Sequence, residues 1–131
     1  MVIDSSAVLA ILLGEPERES FFRAIHADPV RLICAVNALE SSTVIENRKG
    51  PSGGRELDLF IHRAGIEIVA LTEAHFETAR RAWRRFGKGN HPAALNIGDC
   101  CAYALSKTSG EPLLFKGADF VRTDVAIAPL P

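Results

Sequence analysis

The sequence is short of several residue types, and each shortage excludes something. Three cysteines are present, Cys34, Cys100 and Cys101, an odd number with no C-x-x-C. That rules out a disulfide framework and the usual zinc-ligand spacing. Cys100 and Cys101 are adjacent in an apolar run and read as small buried residues in a reducing compartment. Charge of one sign is also lacking: 15 Lys and Arg stand against 16 Asp and Glu, for a net charge of -1. A globally basic nucleic-acid coat is excluded, while a local basic patch is not. No long hydrophobic run occurs near the start; Ala7 to Leu13 is far too short to span a bilayer. The opening Met1-Val2-Ile3-Asp4 has no basic leader segment. The expectation is a soluble protein of the cytoplasm that does not engage a membrane.

What is present is core material. Hydrophobic residues make up 47% and charged residues 24% of 131 residues, a balance that excludes disorder. The length fits one domain, residues 1–131. Neither repeats nor low-complexity tracts interrupt it. The segments Lys49–Gly54 and Gly87–Pro92 read as loops.

Apolar patterning predicts strands at Met1–Ile3, Arg31–Ala35, Ile66–Leu71 and Pro112–Phe115, with a final edge strand at Val125–Ala128. Helices are predicted at Ser5–Leu13, Pro16–Ala27, Ala38–Arg48, Arg55–Arg63, Thr72–Phe86 and Gly98–Thr108. Alternating strands and helices imply a parallel sheet covered on both faces, a three-layer α/β/α sandwich. Sites in such folds form beyond the carboxyl ends of the strands.

Five acids fall there. Asp4 follows the first strand, and Asp119 and Asp124 follow the fourth. Glu40 and Asp99 lie in first turns of helices that face the same edge. Each has a plain explanation alone. Asp4 can cap a helix. Asn37 to Glu40 and Asn96 to Asp99 both fit a capping box. Asp119 and Asp124 can be turn acids. Together, with no basic partner adjacent, they repel by about 1–4 kcal/mol per close pair. A hard divalent cation such as Mg²⁺ or Mn²⁺ relieves that repulsion. The residues therefore point to metal-assisted phosphodiester chemistry.

Four stretches carry a family resemblance: Met1-Val2-Ile3-Asp4-Ser5-Ser6-Ala7; Ala38-Leu39-Glu40-Ser41-Ser42; Leu95-Asn96-Ile97-Gly98-Asp99-Cys100-Cys101; and Pro112-Leu113-Leu114-Phe115-Lys116-Gly117-Ala118-Asp119-Phe120 with Thr123-Asp124-Val125. In order and spacing they resemble PIN-domain ribonucleases of the VapC toxin type across essentially the whole chain. The resemblance implies a single PIN domain and Mg²⁺-dependent RNA hydrolysis, with Mn²⁺ as a substitute ion. It implies the toxin of a type II toxin–antitoxin pair, with a VapB-like antitoxin and a homodimer. Asp4 and Asp99 match the metal ligands, Glu40 the third acid, and Ser6 the small hydroxyl residue beside the first. Gly117 stands where many PIN domains place a further Asp, leaving Asp119, slightly favoured, and Asp124 as candidates for the fourth acid.

RNA must also be held. Arg80, Arg81, Arg84, Arg85 and Lys88 lie opposite or beside the apolar face Phe76, Ala79, Trp83 and Phe86. Such a charged face is ordinarily just solvated. Lys116, Arg84 and Arg85 are the expected phosphate contacts, with Trp83 and Phe86 assigned to the core. Two other functions compete. One is a non-catalytic PIN-like module that binds RNA or protein. The other is a Mg²⁺-binding phosphoacceptor signalling domain. Against the latter count Ser5-Ser6 after Asp4 and Thr72-Glu73 after the third strand.

Overall fold

Four short apolar runs form the strands: β1 (Val2–Ile3), β2 (Leu32–Cys34), β3 (Glu67–Val69) and β4 (Leu113–Leu114). The computed structural model describes residues 1–131. All pairings are parallel, in the order β3-β2-β1-β4, with Val2 opposite both Leu32 and Leu113. Six helices connect them: α1 (Ser5–Leu12), α2 (Arg18–Ala27), α3 (Ala35–Lys49), α4 (Pro51–Arg63), α5 (Glu73–Phe86) and α6 (Ile97–Ser109).

Period-two alternation divides the core between two layers. Ile3, Ile33 and Leu114 face one side, packing with Val8, Ile11, Ile25, Ile45 and Leu57 of α1 to α4. Val2, Cys34 and Leu113 face the other, packing with Ala82 and Phe86 of α5 and with Cys101 and Leu105 of α6. The three-layer α/β/α sandwich expected from the sequence is therefore present. Because the strands are parallel, the chain after β1 and the chain after β4 emerge at one edge.

Several boundaries depart from the sequence expectation. The helix α3 begins at Ala35, directly out of β2, so Asn37 is an interior helix residue and not a cap. Pro51 supplies the first turn of α4, absorbing most of the expected Lys49–Gly54 loop; its fixed φ suits that position. The stretch Ile66–Leu71, read as a buried strand, is the outer strand β3, with Ile68 about half exposed. Val125–Ala128 forms a single parallel bridge from Ile127 to Leu113 and no full strand. On α5, Trp83, assigned to the core, is exposed, as is Phe76 on the same apolar face.

Candidate active site

Asp4 leaves β1 and caps α1. Its backbone N–H donates to Leu114 O at 2.9 Å, extending the β1–β4 pairing past the last strand residues. Its side chain is 2% exposed. One oxygen, Oδ2, accepts from the Ser6 backbone N–H at 3.0 Å and from Ser6 Oγ at 2.6 Å. The Ser6 hydroxyl in turn accepts from the Lys116 backbone N–H at 2.9 Å, so Ser6 ties the end of β1 to the chain after β4. The other oxygen, Oδ1, is buried with no hydrogen-bond partner.

Glu40 arrives from α3, where its Oε1 accepts from the hydroxyl of Ser5. Gly98, at the start of α6, makes room for it: a Cβ there would lie 2.8 Å from Glu40 Oε2. One turn earlier on α3, the fully buried Asn37 donates from its amide to Gly98 O at 3.0 Å. This bond fixes α3 against the first turn of α6. Ser5, Asn37 and Gly98 had no functional reading in the sequence; only their closeness to Asp4, Glu40 and Asp99 marked them.

Asp99 comes from the expected capping box on α6. Asn96 Oδ1 accepts from the Asp99 N–H at 2.8 Å, and Asp99 Oδ2 accepts from the Asn96 N–H at 3.0 Å. Three acids thus share one arrangement: one oxygen is anchored by a nearby donor and the other accepts no protein hydrogen bond. The corresponding box proposed for Asn37 and Glu40 is absent, because β2 runs straight into α3.

Glu40 and Asp99 act on Asp4, and Glu40 and Asp119 act on Asp99. Burial pushes Asp4 up to about 7, against the two Ser6 hydrogen bonds, and the charges of Asp99 and Glu40 add to the rise. Burial also raises Asp99, the hydrogen bond from Asn96 opposes it, and Asp119 and Glu40 push it further up. Asp119 is exposed ahead of a 3-10 turn at Phe120–Arg122.

Asp124 stands apart from these acids. Its Oδ1 accepts from Tyr103 OH at 2.7 Å, and Lys107 Nζ and Arg85 lie 3.1 and 3.4 Å from Oδ2. The Tyr103 hydrogen bond, then Lys107, hold its carboxyl below the ordinary value. Five acids without basic partners were expected from the sequence; the structure sets Asp4, Glu40 and Asp99 within one another's influence, leaves Asp119 acting on Asp99, and gives the fifth, Asp124, two cations.

The expected phosphate contacts also separate. The Lys116 side chain is occupied by Glu15 and Glu17. Arg85 stacks over Phe86 and pairs with Asp124. Arg84 is exposed. Trp83, with Lys88, Asn96, Ile97 and Gly98, walls a depression of about 390 Å³ beside Glu40.

The donor set suits a hard divalent cation. All candidate ligands are carboxylate oxygens, and the orphaned Asp4 Oδ1 is a buried acceptor that a cation would satisfy. No three His, Cys, Asp or Glu side chains lie close enough together to hold a metal ion between them.

The family model of the PIN domain matches residues 1–126. The chain belongs to the PIN-domain family. This PIN domain is 52% identical over 131 residues to the VapC ribonuclease Mb0640 of Mycobacterium bovis, covering all of both chains. Among solved structures it resembles Mycobacterium tuberculosis VapC20, a sarcin–ricin loop cleaving toxin, with a TM-score of 0.80 at 15% identity, over 99% of this chain and 98% of that one. It also resembles VapBC2 of Rickettsia felis, solved bound to a DNA fragment from its promoter, with a TM-score of 0.76 at 11% identity over 96% and 94%. Those two likenesses bear on the PIN fold; the identity to the mycobacterial ribonuclease places the chain among VapC proteins.

Proposed function

We propose that this PIN domain is a Mg²⁺-dependent endoribonuclease, the toxin of a type II toxin–antitoxin pair, acting as one domain over residues 1–131 in the cytoplasm. The observation that carries this reading is the unpartnered Asp4 Oδ1, buried in the field of Asp99 and Glu40. The 52% identity to a VapC ribonuclease supports the choice of RNA as substrate.

Asp4 and Asp99 would hold the ion through their free oxygens, with Mn²⁺ as a substitute. When bound, such an ion supplies Lewis acidity toward a phosphate oxygen and makes water a nucleophile near neutral pH. Ser6 and the Asn96 N–H keep the two carboxylates oriented by holding their other oxygens. Glu40 Oε2, beside Gly98, and the exposed carboxylate of Asp119 are the bases available to orient a water and take its proton. The depression walled by Trp83 and Lys88 gives substrate a way in beside Glu40.

Two surfaces support the partners. A groove of about 450 Å³ between the early helices is lined by Ile11, Leu12 and Phe60, by Arg18 and Arg63, and by the Lys49–Glu56 ion pair. It suits an amphipathic antitoxin helix carrying acids on its polar face. On the far side of the sheet, Leu71, Phe76, Trp83 and Ile97 line an apolar hollow. With Ile97 75% and Phe76 48% exposed, that face suits a second copy of the chain. No helix is long and apolar enough to cross a membrane.

The direct test incubates purified, antitoxin-free protein with a mixed RNA pool, with Mg²⁺ or EDTA, beside Asp99→Asn. Fragments that require Mg²⁺ and vanish in the variant are expected. Cleavage that survives both EDTA and the substitution overturns the reading.

A further inference from the structure

On the outer face of the α5–α6 pair, three cations meet around a concavity of about 450 Å³: Arg81 and Arg85 from α5 and Lys107 from α6, with the hydroxyls of Thr78, Tyr103 and Thr108 between them. This face is separate from the apolar hollow, which uses Phe76, Ala79, Arg80 and Trp83 of the same helix. Three cations face one carboxylate, Asp124, so the concavity keeps a positive excess.

Its parts are held in place. Tyr103 anchors Asp124, and Asp124 braces Lys107 and Arg85. Arg85 lies over the Phe86 ring at 4.6 Å and Lys107 over the Tyr103 ring at 5.7 Å. Arg81 is different. Its one hydrogen bond goes to Thr78 Oγ1 at 3.2 Å, and no carboxylate pairs with it. A guanidinium with most of its donors unused, beside hydroxyl groups in a concave site, is suited to bidentate recognition of a phosphate.

The position relates this concavity to the acids. Asp99, Tyr103 and Lys107 are spaced four apart on α6, so they lie along one face of that helix. Eight residues of helix separate Asp99 from Lys107 by about 12 Å along its axis. A single strand whose scissile phosphate sits at the acids has its next few phosphates within reach of that distance.

We propose that Arg81, Arg85 and Lys107, framed by Tyr103 and Thr78, form a phosphate-binding subsite for single-stranded RNA, a few nucleotides from the scissile bond. The subsite rests on the ribonuclease reading and gives it a direction: the strand runs from the acids along α6. It positions substrate and does no chemistry.

The test measures binding of a fluorescein-labelled 12-nucleotide single-stranded RNA of mixed sequence by anisotropy, in EDTA, across a salt series. The proteins are wild type, Arg81→Gln, Arg81→Gln/Lys107→Gln, and Arg23→Gln as a control on the opposite face of the sheet. Melting curves accompany each, because Lys107 also braces Asp124; Arg81→Gln removes no ion pair and is the cleaner variant. Arg81→Gln is expected to weaken binding several-fold and flatten the log–log salt slope by about 0.7, and the double variant by about 1.4. Arg23→Gln is expected to match wild type. A wild type that cleaves and binds RNA with the same slope as the folded double variant overturns the subsite and leaves the ribonuclease standing. A protein that neither binds nor cleaves RNA overturns both. Affinity for inorganic phosphate alone, lost in Arg81→Gln while the oligonucleotide shows none, makes the concavity a free-anion site and also overturns the proposal.

Discussion

The hydroxyl of Ser5 donates to Oε1 of Glu40, thirty-five residues further along the chain. Its neighbour Ser6 serves a different acid, Asp4. Adjacent serines therefore set the orientation of two carboxylates, one at the end of β1 and one from α3. Ser5→Ala removes the Glu40 anchor and leaves the Asp4 bonds intact. Groups that orient a ligand-bearing side chain typically matter by 10–100-fold. Cleavage is expected to fall by about that factor in a Mg²⁺ titration, with a melting temperature close to wild type. Full activity in Ser5→Ala would show that Glu40 needs no anchor.

Gly98→Ala acts on the same carboxylate from the other side. The new Cβ would sit 2.8 Å from Glu40 Oε2, so the end of the Glu40 side chain must swing away. Alanine suits a helix better than glycine by up to about 1 kcal/mol, and the displaced group is the end of a flexible, half-buried side chain. The expected result is a folded protein, no less stable than wild type, with cleavage strongly reduced. Thermal melts and single-turnover assays separate the two effects.

Asp4 makes the stability of the metal-free protein depend on pH in an unusual direction. Its folded value is raised to about 7, mainly by burial, above the ordinary value near 3.9. Between those limits the folded state binds more protons than the unfolded state, so stability falls as pH rises. In EDTA the protein is expected to melt higher at pH 5 than at pH 7.5. Asp4→Asn should flatten that dependence and raise the melting temperature at pH 7.5, while abolishing cleavage. A wild type in EDTA that is more stable at pH 7.5 contradicts the buried charge.

Asp119 and Asp124 should differ when each is changed to Asn. Asp119 lies in the field of Asp99, has no cation partner, and is expected to be needed for full cleavage. Asp124 is held by Tyr103, Lys107 and Arg85. Its exposure and screening limit the stability loss on Asp124→Asn to about 1 kcal/mol or less, with the acid cluster intact. Cleavage assays on the pair decide which acid belongs to the chemistry.

The layered fold was legible because strand and helix periods alternate cleanly, and the Asn96–Asp99 box because a capping box is local. The same spacing at Asn37 and Glu40 misled, since nothing local reveals that β2 passes into α3 without a break. Periodicity correctly gave Trp83 and Phe76 a shared face with Ala79. It could not reveal that the chain supplies nothing to cover that face. The ion pairs of Asp124 were hidden for the opposite reason: Tyr103, Lys107 and Arg85 come from two helices earlier in the chain and meet it only in the folded state. Burial of the Asp4 carboxylate likewise depends on layers that no sequence window contains.

Ser6 receives its third bond from the peptide N–H of Lys116, not from the lysine side chain, which is engaged elsewhere by Glu15 and Glu17. The tether that fixes the first acid to the chain after β4 is therefore indifferent to the identity of residue 116, with one exception. Proline, which has no N–H, is the single replacement that would cut it. A scan of all substitutions at this position should show a flat profile of activity with one hole.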